Sequence, residues 1–222
     1  MKIAIDGPSG AGKSSLARSI ARKLGMIYVD TGALYRTVGL YMREHGIDPK
    51  NEAAVLASLP DIRLRMTHEA GEQHIYLCGE DVGDRIRTPD ISMYASAVSA
   101  IPGVRAYLLE TQRHIARENS VVMDGRDIGT VILPDAEVKI FLVATPEARA
   151  RRRAEELQGK GMTTTYEEVL ADMRQRDEND RTRAIAPAVP AQDAVFLDNS
   201  ELEPEQTLAL ALTIIREKTG GV

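Results

Sequence analysis

Gly7-Pro8-Ser9-Gly10-Ala11-Gly12-Lys13-Ser14 satisfies the pattern G-x-x-x-x-G-K-[ST] at every defined position. Its flanks are the ones the motif needs. The apolar run Lys2–Asp6 ahead of it reads as a buried strand, and Lys13–Leu24 behind it is spaced as a helix that Gly25 stops. The chemistry explains the residue types. Glycines let the backbone bend round a phosphate with successive N–H groups pointing inward. The helix N-terminus adds partial positive charge. Lys13 can bridge β- and γ-phosphates, and the Ser14 hydroxyl can ligate Mg²⁺. The motif calls for a nucleoside triphosphate and does not identify what receives the phosphate.

Outward from this loop, strands and helices alternate. Ile27–Asp30, 120–124, 138–144 and Val195–Asp198 read as short buried strands, and 33–45, 146–158, 165–183 and 203–218 as helices. Such alternation predicts an α/β protein with a parallel sheet and helices on both sides. One region breaks it. Residues 61–67 alternate Ile62, Leu64 and Met66 with Arg63, Arg65 and Thr67, and 74–81 follow after a turn at Gly71. That predicts a half-exposed antiparallel hairpin, with helices at 89–100 and Pro102–Glu118 behind it. The stretch of about 37–118 is therefore expected to be an inserted subdomain.

Composition narrows the class. The chain has 222 residues, 43% hydrophobic and 27% charged, which fits one soluble domain with inserts and excludes disordered and fibrous proteins. No apolar run approaches the roughly 18–20 residues that span a bilayer. Residues 1–6 carry no secretory pattern, so a cytoplasmic protein without a membrane partner is expected. Cys78 is the single cysteine, so neither an internal disulfide nor a cysteine-built metal site is available. A net charge of −5 argues against nucleic acid as a partner, and with no Trp and two Phe there is no stacking platform for single strands. Arginine outnumbers lysine 21 to 7. Guanidinium groups grip phosphate bidentately, but a GC-rich genome gives the same bias, so the positions of the arginines must decide.

No Asn-Lys-x-Asp occurs, so guanine recognition of the common GTPase type is unsupported, and the chain lacks the length of a motor. What remain are features for a second, acceptor phosphate. Asp30-Thr31-Gly32-Ala33-Leu34-Tyr35-Arg36 follows the second strand as a polar loop, where α/β sheets bind ligands. Asp124-Gly125-Arg126-Asp127 ends another central strand, and Asp124 could hold Mg²⁺ through water. Arg149, Arg152 and Arg153 share a helix face ahead of Gly159-Lys160-Gly161, as a closing lid would require; a solvated face paired with Glu155 and Glu156 is the plainer alternative. Arg176, Asp180 and Arg183 share another face, suited either to gripping a sugar and a phosphate or to an exposed ion-pair ladder.

These residues together resemble the bacterial cytidylate kinases over almost the whole chain. The resemblance rests on Ile5-Asp6-Gly7-Pro8-Ser9-Gly10-Ala11-Gly12-Lys13, on the Asp30 to Arg36 block, and on Gly79-Glu80-Asp81-Val82 and Ile86-Arg87-Thr88. It continues through Asp124-Gly125-Arg126-Asp127-Ile128-Gly129-Thr130-Val131, Arg176-Asp177, Asp180-Arg181 and Ala184-Ile185-Ala186-Pro187-Ala188-Val189-Pro190. It implies a P-loop NTPase fold of three layers, α/β/α, with a core of about 1–36, 119–148 and 184–222, a monophosphate-binding insert of about 37–118 and a short lid of about 149–167. By resemblance Gly7, Pro8, Ser9, Gly10, Ala11, Gly12, Lys13, Ser14 and Ser15 would hold ATP. Arg36, Arg126 and Arg183 would hold the CMP phosphate, and Arg176 and Asp180 the ribose. Ser96, Arg105 and Asp127 would read the cytosine edge. Arg152 and Arg153 match lid arginines that meet the transferred group. Thr31 stands where some members have serine, and either hydroxyl can bond a phosphate or base.

The implied reaction is ATP + CMP → ADP + CDP, with dCMP also accepted, Mg²⁺ as cofactor, and a monomer as the acting form. Catalysis would fall on Lys13, Arg126, Arg152, Arg153 and Arg183, since a phosphate dianion needs no general base. A kinase of another small acceptor and a non-enzymatic nucleotide switch are the rival readings. The arginines beyond the phosphate loop weigh against the switch, which needs no second phosphate site.

Overall fold

The computed structural model of the chain describes residues 1–69, 72–159, 161–182 and 184–221. The turn expected at Gly71, Lys160 of the expected lid loop, and Arg183 lie outside the described residues. In chain order the first elements are β1 (Lys2–Asp6), α1 (Lys13–Leu24), β2 (Ile27–Asp30), α2 (Thr31–Glu44), α3 (Glu52–Ser58), β3 (Leu64–Glu69), β4 (Glu72–Leu77) and β5 (Glu80–Asp81). They continue with α4 (Pro89–Ser99), α5 (Pro102–Glu118), β6 (Val121–Asp124), β7 (Val138–Val143), α6 (Pro146–Gly159), α7 (Tyr166–Thr182), β8 (Val195–Asp198) and α8 (Pro204–Thr219). The chain divides into two compact units, Met1–Met26 with Val122–Val222, and Ile27–Val121. The second unit contains the expected insert and also takes in β2 and the start of α2.

In the first unit the strands run β6-β1-β7-β8. β1 pairs parallel with β7, from Ile3 opposite Val138 to Asp6 opposite Phe141, and β7 pairs parallel with β8, from Ile140 opposite Val195 to Val143 opposite Asp198. Ile3, Ala4, Ile5, Val122, Met123, Ile140 and Leu142 are all fully buried or nearly so, which is why these strands read as continuous apolar runs and not as alternating ones. Phe196, on the edge strand β8, is exposed and leans its ring on Phe141 with centroids 5.5 Å apart. α6 and α7 pack on each other through a small core of Ala150, Ala154, Val169 and Met173. This pair of helices covers most of the segment expected to be a lid.

The second unit has its own core, with Leu34, Leu40, Met42, Ile86, Ile91, Val98, Val104 and Leu108 at its centre. Three of its elements differ from the sequence expectation, each for a local reason. α2 starts at Thr31, not at residue 33, because Asp30 caps it: its carboxylate accepts the Ala33 N–H at 2.9 Å. The expected polar loop is thus the first turn of a helix. The expected hairpin is a three-stranded meander, β3-β4-β5. Cys78 and Gly79 both have positive φ, +51° and +97°, and this two-residue turn folds the end of the expected strand 74–81 back, so that Glu80 pairs with Leu77. α3, capped by Asn51, was not anticipated; seven residues are too few for helical periodicity to show.

Candidate phosphoryl-transfer site

The phosphate loop leaves the sheet at Gly7, whose φ is +145° and where a Cβ would sit 2.0 Å from the Leu142 carbonyl oxygen. Only glycine lets the chain turn there against β7. The loop ends at Gly12, which caps α1 with φ +90°. Lys13 follows, 6% exposed, and its Nζ donates to the Pro8 carbonyl at 2.7 Å across the loop. The Ser14 hydroxyl donates to the Asp124 carboxylate at 2.9 Å, so the end of β6 lies beside the loop as the sequence suggested. Asn199, just beyond β8, braces the loop from outside by donating to the Ala11 carbonyl at 3.0 Å.

Electrostatics at this point are strained in one direction. Burial, with Arg126 and Arg176 adding to it, pushes the Lys13 ammonium down from 10.5 to about 7; Asp124 and Asp6 only partly oppose this. The Asp6 carboxyl, at the end of β1, is pushed up by burial to about 6, with the Asp127 charge adding and the Lys13 charge opposing. Asp6 is nevertheless well bonded. Its two oxygens accept the backbone N–H groups of Ile128 and Gly129, each at 2.8 Å.

The arginines expected from the sequence divide among different tasks. Arg126 donates from Nε to Asp180 at 2.8 Å, so the loop after β6 and helix α7 come together, and Arg176 lies on that helix within reach of Lys13's field. Asp127 is buried at the head of the π-helical turn Ile128–Ile132. Arg152 does not face the phosphate loop; it donates to the carbonyls of Asn199 at 2.6 Å and Ser200 at 3.3 Å. Arg153 pairs with Glu156 at 2.6 Å on the surface, as the solvated-face alternative expected. Arg149, 2% exposed, does touch the phosphate loop. It donates to the Ser9 carbonyl at 2.8 Å, to the Ala144 carbonyl at 3.0 Å and to Asp177 at 2.5 Å. The sequence placed Arg149 on the right face, but nothing in helical spacing says which of three neighbouring arginines turns inward.

In the second unit, Arg36 donates to the buried Asp30 carboxylate at 2.7 Å, and Arg87 reaches the same oxygen at 3.4 Å. Burial pushes the Asp30 carboxyl up, but the two guanidiniums and the Ala33 N–H outweigh it and hold the group below its ordinary value. Two cations converging on one anion could equally hold a phosphate, and Arg87 is the member that sequence reasoning gave no role. Thr31 is buried in the first turn of α2, and Ser96 is half-buried on α4. Arg105 is buried on α5, with its guanidinium 5.5 Å from the Tyr35 ring centroid and a donor bond to the Ser99 carbonyl. Among the described residues no helix is long and apolar enough to cross a membrane.

Phosphoryl transfer asks mainly for positioning and compensating charge. A phosphate loop with a buried lysine, a hydroxyl and a carboxylate beside it supplies both, and by its fold and site the protein is a P-loop kinase. The cytidylate kinase family model matches residues 3–217, and the chain belongs to that family: it is a nucleoside monophosphate kinase. It is 49% identical over 217 residues to a cytidylate kinase of Fervidobacterium nodosum, covering 98% of this chain and 97% of the relative. It is 46% identical to one of Mycobacterium leprae, covering 99% and 97%. Among solved structures, a shikimate kinase of Bacteroides thetaiotaomicron is similar at a TM-score of 0.50, with 15% identity and coverage of 99% and 98%. That likeness concerns the fold alone.

Proposed function

We propose that the protein transfers the γ-phosphoryl group of ATP to CMP, giving ADP and CDP, and accepts dCMP in the same role. The observation that carries this reading is the convergence at the phosphate loop: Lys13 is buried beside the Ser14–Asp124 pair, Arg126 is held there by Asp180, and the charges of Arg126 and Arg176 add to the burial that pushes the Lys13 ammonium down. A donor triphosphate and an acceptor phosphate together would neutralise those positive charges.

An oxygen of the CMP phosphate attacks Pγ, the bond from Pγ to the β-γ bridging oxygen breaks, and the electron pair leaves with ADP. The CMP phosphate is a dianion, so no proton must be removed first. Lys13 and the loop N–H groups of residues 7–15 bind the triphosphate, and Arg126 with Arg36 and Arg183 binds the acceptor phosphate. Arg176 and Asp180 serve the ribose, while Thr31, Ser96, Arg105 and Asp127 serve the base. Arg152 and Arg153 belong to the lid segment and would meet the transferred group after leaving their present partners. Ser14 and Asp124 are adjacent hard oxygen donors, the set that suits Mg²⁺ bound by one or two protein oxygens and by phosphate. Bound there, Mg²⁺ would neutralise charge on the β- and γ-oxygens.

The test is ADP release from ATP across CMP, dCMP, UMP, AMP and shikimate. CMP and dCMP should give the highest kcat/KM. Faster release with any other acceptor, or none with CMP, overturns the proposal.

A further inference from the structure

We infer that Asp6 is a positioning residue for acceptor recognition, setting the Arg126-Asp127 loop from the base of the phosphate loop. The inference rests on the CMP reading above. Asp6 is 3% exposed and directly precedes Gly7. Both its carboxylate oxygens are used on one target, the N–H groups of Ile128 and Gly129 at 2.8 Å each. Those N–H groups open the turn Ile128–Ile132. The residue at its N-cap is Asp127, which makes no side-chain cap bond to the turn.

An aspartate at an N-cap ordinarily spends its own carboxylate on the N–H groups of the following turn. Here a carboxylate 122 and 123 residues before those donors takes them, and the cap of this turn is supplied by Asp6 and not by Asp127. The arrangement fixes the backbone on both sides of the loop. Gly125 N–H bonds the Ile5 carbonyl at 3.1 Å on one side, and Ile128 N–H bonds Asp6 on the other. Arg126 and Asp127 are the two residues held between these anchors, and Arg126 goes on to Asp180. β1 thus holds the acceptor loop with the two residues that come just before the donor loop.

Asp6→Asn is the discriminating variant. An amide keeps one acceptor but turns an NH₂ group toward a backbone N–H, so one cap bond is lost and the turn must shift. KM for CMP should rise about tenfold, because Arg126 and Asp127 no longer meet the acceptor in their set positions, and the CMP-over-UMP ratio should narrow. KM for ATP should move much less than KM for CMP, since the loop amides keep their places and Asp6 reaches Lys13 only as one of several nearby charges. Amide exchange at Ile128 and Gly129 should accelerate. Tm at pH 8 should change little, because the lost cap bond is offset by removal of a buried charge that the fold disfavours. A scaffold residue would move Tm and both KM values together. If Asn does not fold, Asp6→Ser keeps one small acceptor, and the same split is expected. An unchanged KM for CMP and base ratio, or equal rises in KM for CMP and ATP, overturns the inference while leaving CMP kinase activity intact. A wild-type protein inactive on CMP refutes the functional reading itself.

Discussion

Nucleotide binding should draw a proton onto Lys13. The folded chain holds this ammonium at about 7 where an unfolded chain holds it near 10.5, chiefly through burial. The gap is roughly 3.5 pH units, or about 5 kcal/mol of disfavour for the charged form. For a base whose pKa is depressed by folding, the contribution to stability is present above 10.5 and is lost as pH falls toward about 7, where the folded protein begins to take up the proton that the unfolded chain already holds. A triphosphate beside Nζ reverses the balance, because the opposite charge favours the ammonium. Above about pH 7 Lys13 is largely neutral before binding, so at pH 8 each ATP bound should bring in a large fraction of a proton, and the uptake should fall as pH drops below that value. Titration calorimetry at pH 8 in buffers of different ionisation enthalpy measures this directly. The apparent binding enthalpy should vary linearly with buffer ionisation enthalpy, with a slope that reports net proton uptake and shrinks as pH is lowered. Lys13→Arg, which stays charged, should flatten the slope. A slope near zero in the wild-type protein would mean that Lys13 is already charged beside its buried neighbours, and the electrostatic argument for the site would fall.

Hydrogen exchange across 149–165 should slow when ATP and CMP are bound together, and equal protection with and without them contradicts a lid. Arg149→Met should lower stability by about 3–5 kcal/mol, read as a loss of Tm, because it leaves Asp177 and the Ser9 carbonyl without their buried donor; a loss below about 1 kcal/mol would show that the pair holds nothing in place. Asp127→Asn should narrow the CMP-over-UMP preference, mostly by losing CMP activity, since a carboxylate only accepts hydrogen bonds and suits the cytosine amino group. The same ratio of kcat/KM values in mutant and wild type would leave Asp127 without a part in reading the base.

Much of the fold was legible because its signals are local. β1, α1, β2, α5 and β8 begin and end where apolar runs, Gly25 and Pro102 said they should. The errors came from residues that act on more than their neighbours in sequence. Asp30 looked like the first residue of a polar loop, but as a cap it draws Thr31 and Gly32 into a helix. Cys78 gave no hint of a positive φ, so the turn that makes a third strand was hidden inside an apparent single one. In the candidate site, the course of the phosphate loop was readable, since Gly7, Gly10 and Gly12 stand where the backbone takes positive φ. Asp6 was not, although it stood inside the quoted motif. Its bonding partners lie more than 120 residues away, and a carboxylate ending a strand has no spacing that names them.

The excess of arginine over lysine could be settled only at this level. Composition leaves open whether it follows from the genome or from function. Position decides it for the residues around Lys13. Burial there, with the charges of Arg126 and Arg176, already presses one ammonium down to about 7. A lysine at 126 or 176, although only half-buried, would sit in the field of Lys13 and of the remaining arginine. A guanidinium does not give up its proton under that pressure. Arginine at 126 and 176 therefore guarantees the positive charge beside the phosphate loop, whatever accounts for the remaining arginines of the chain.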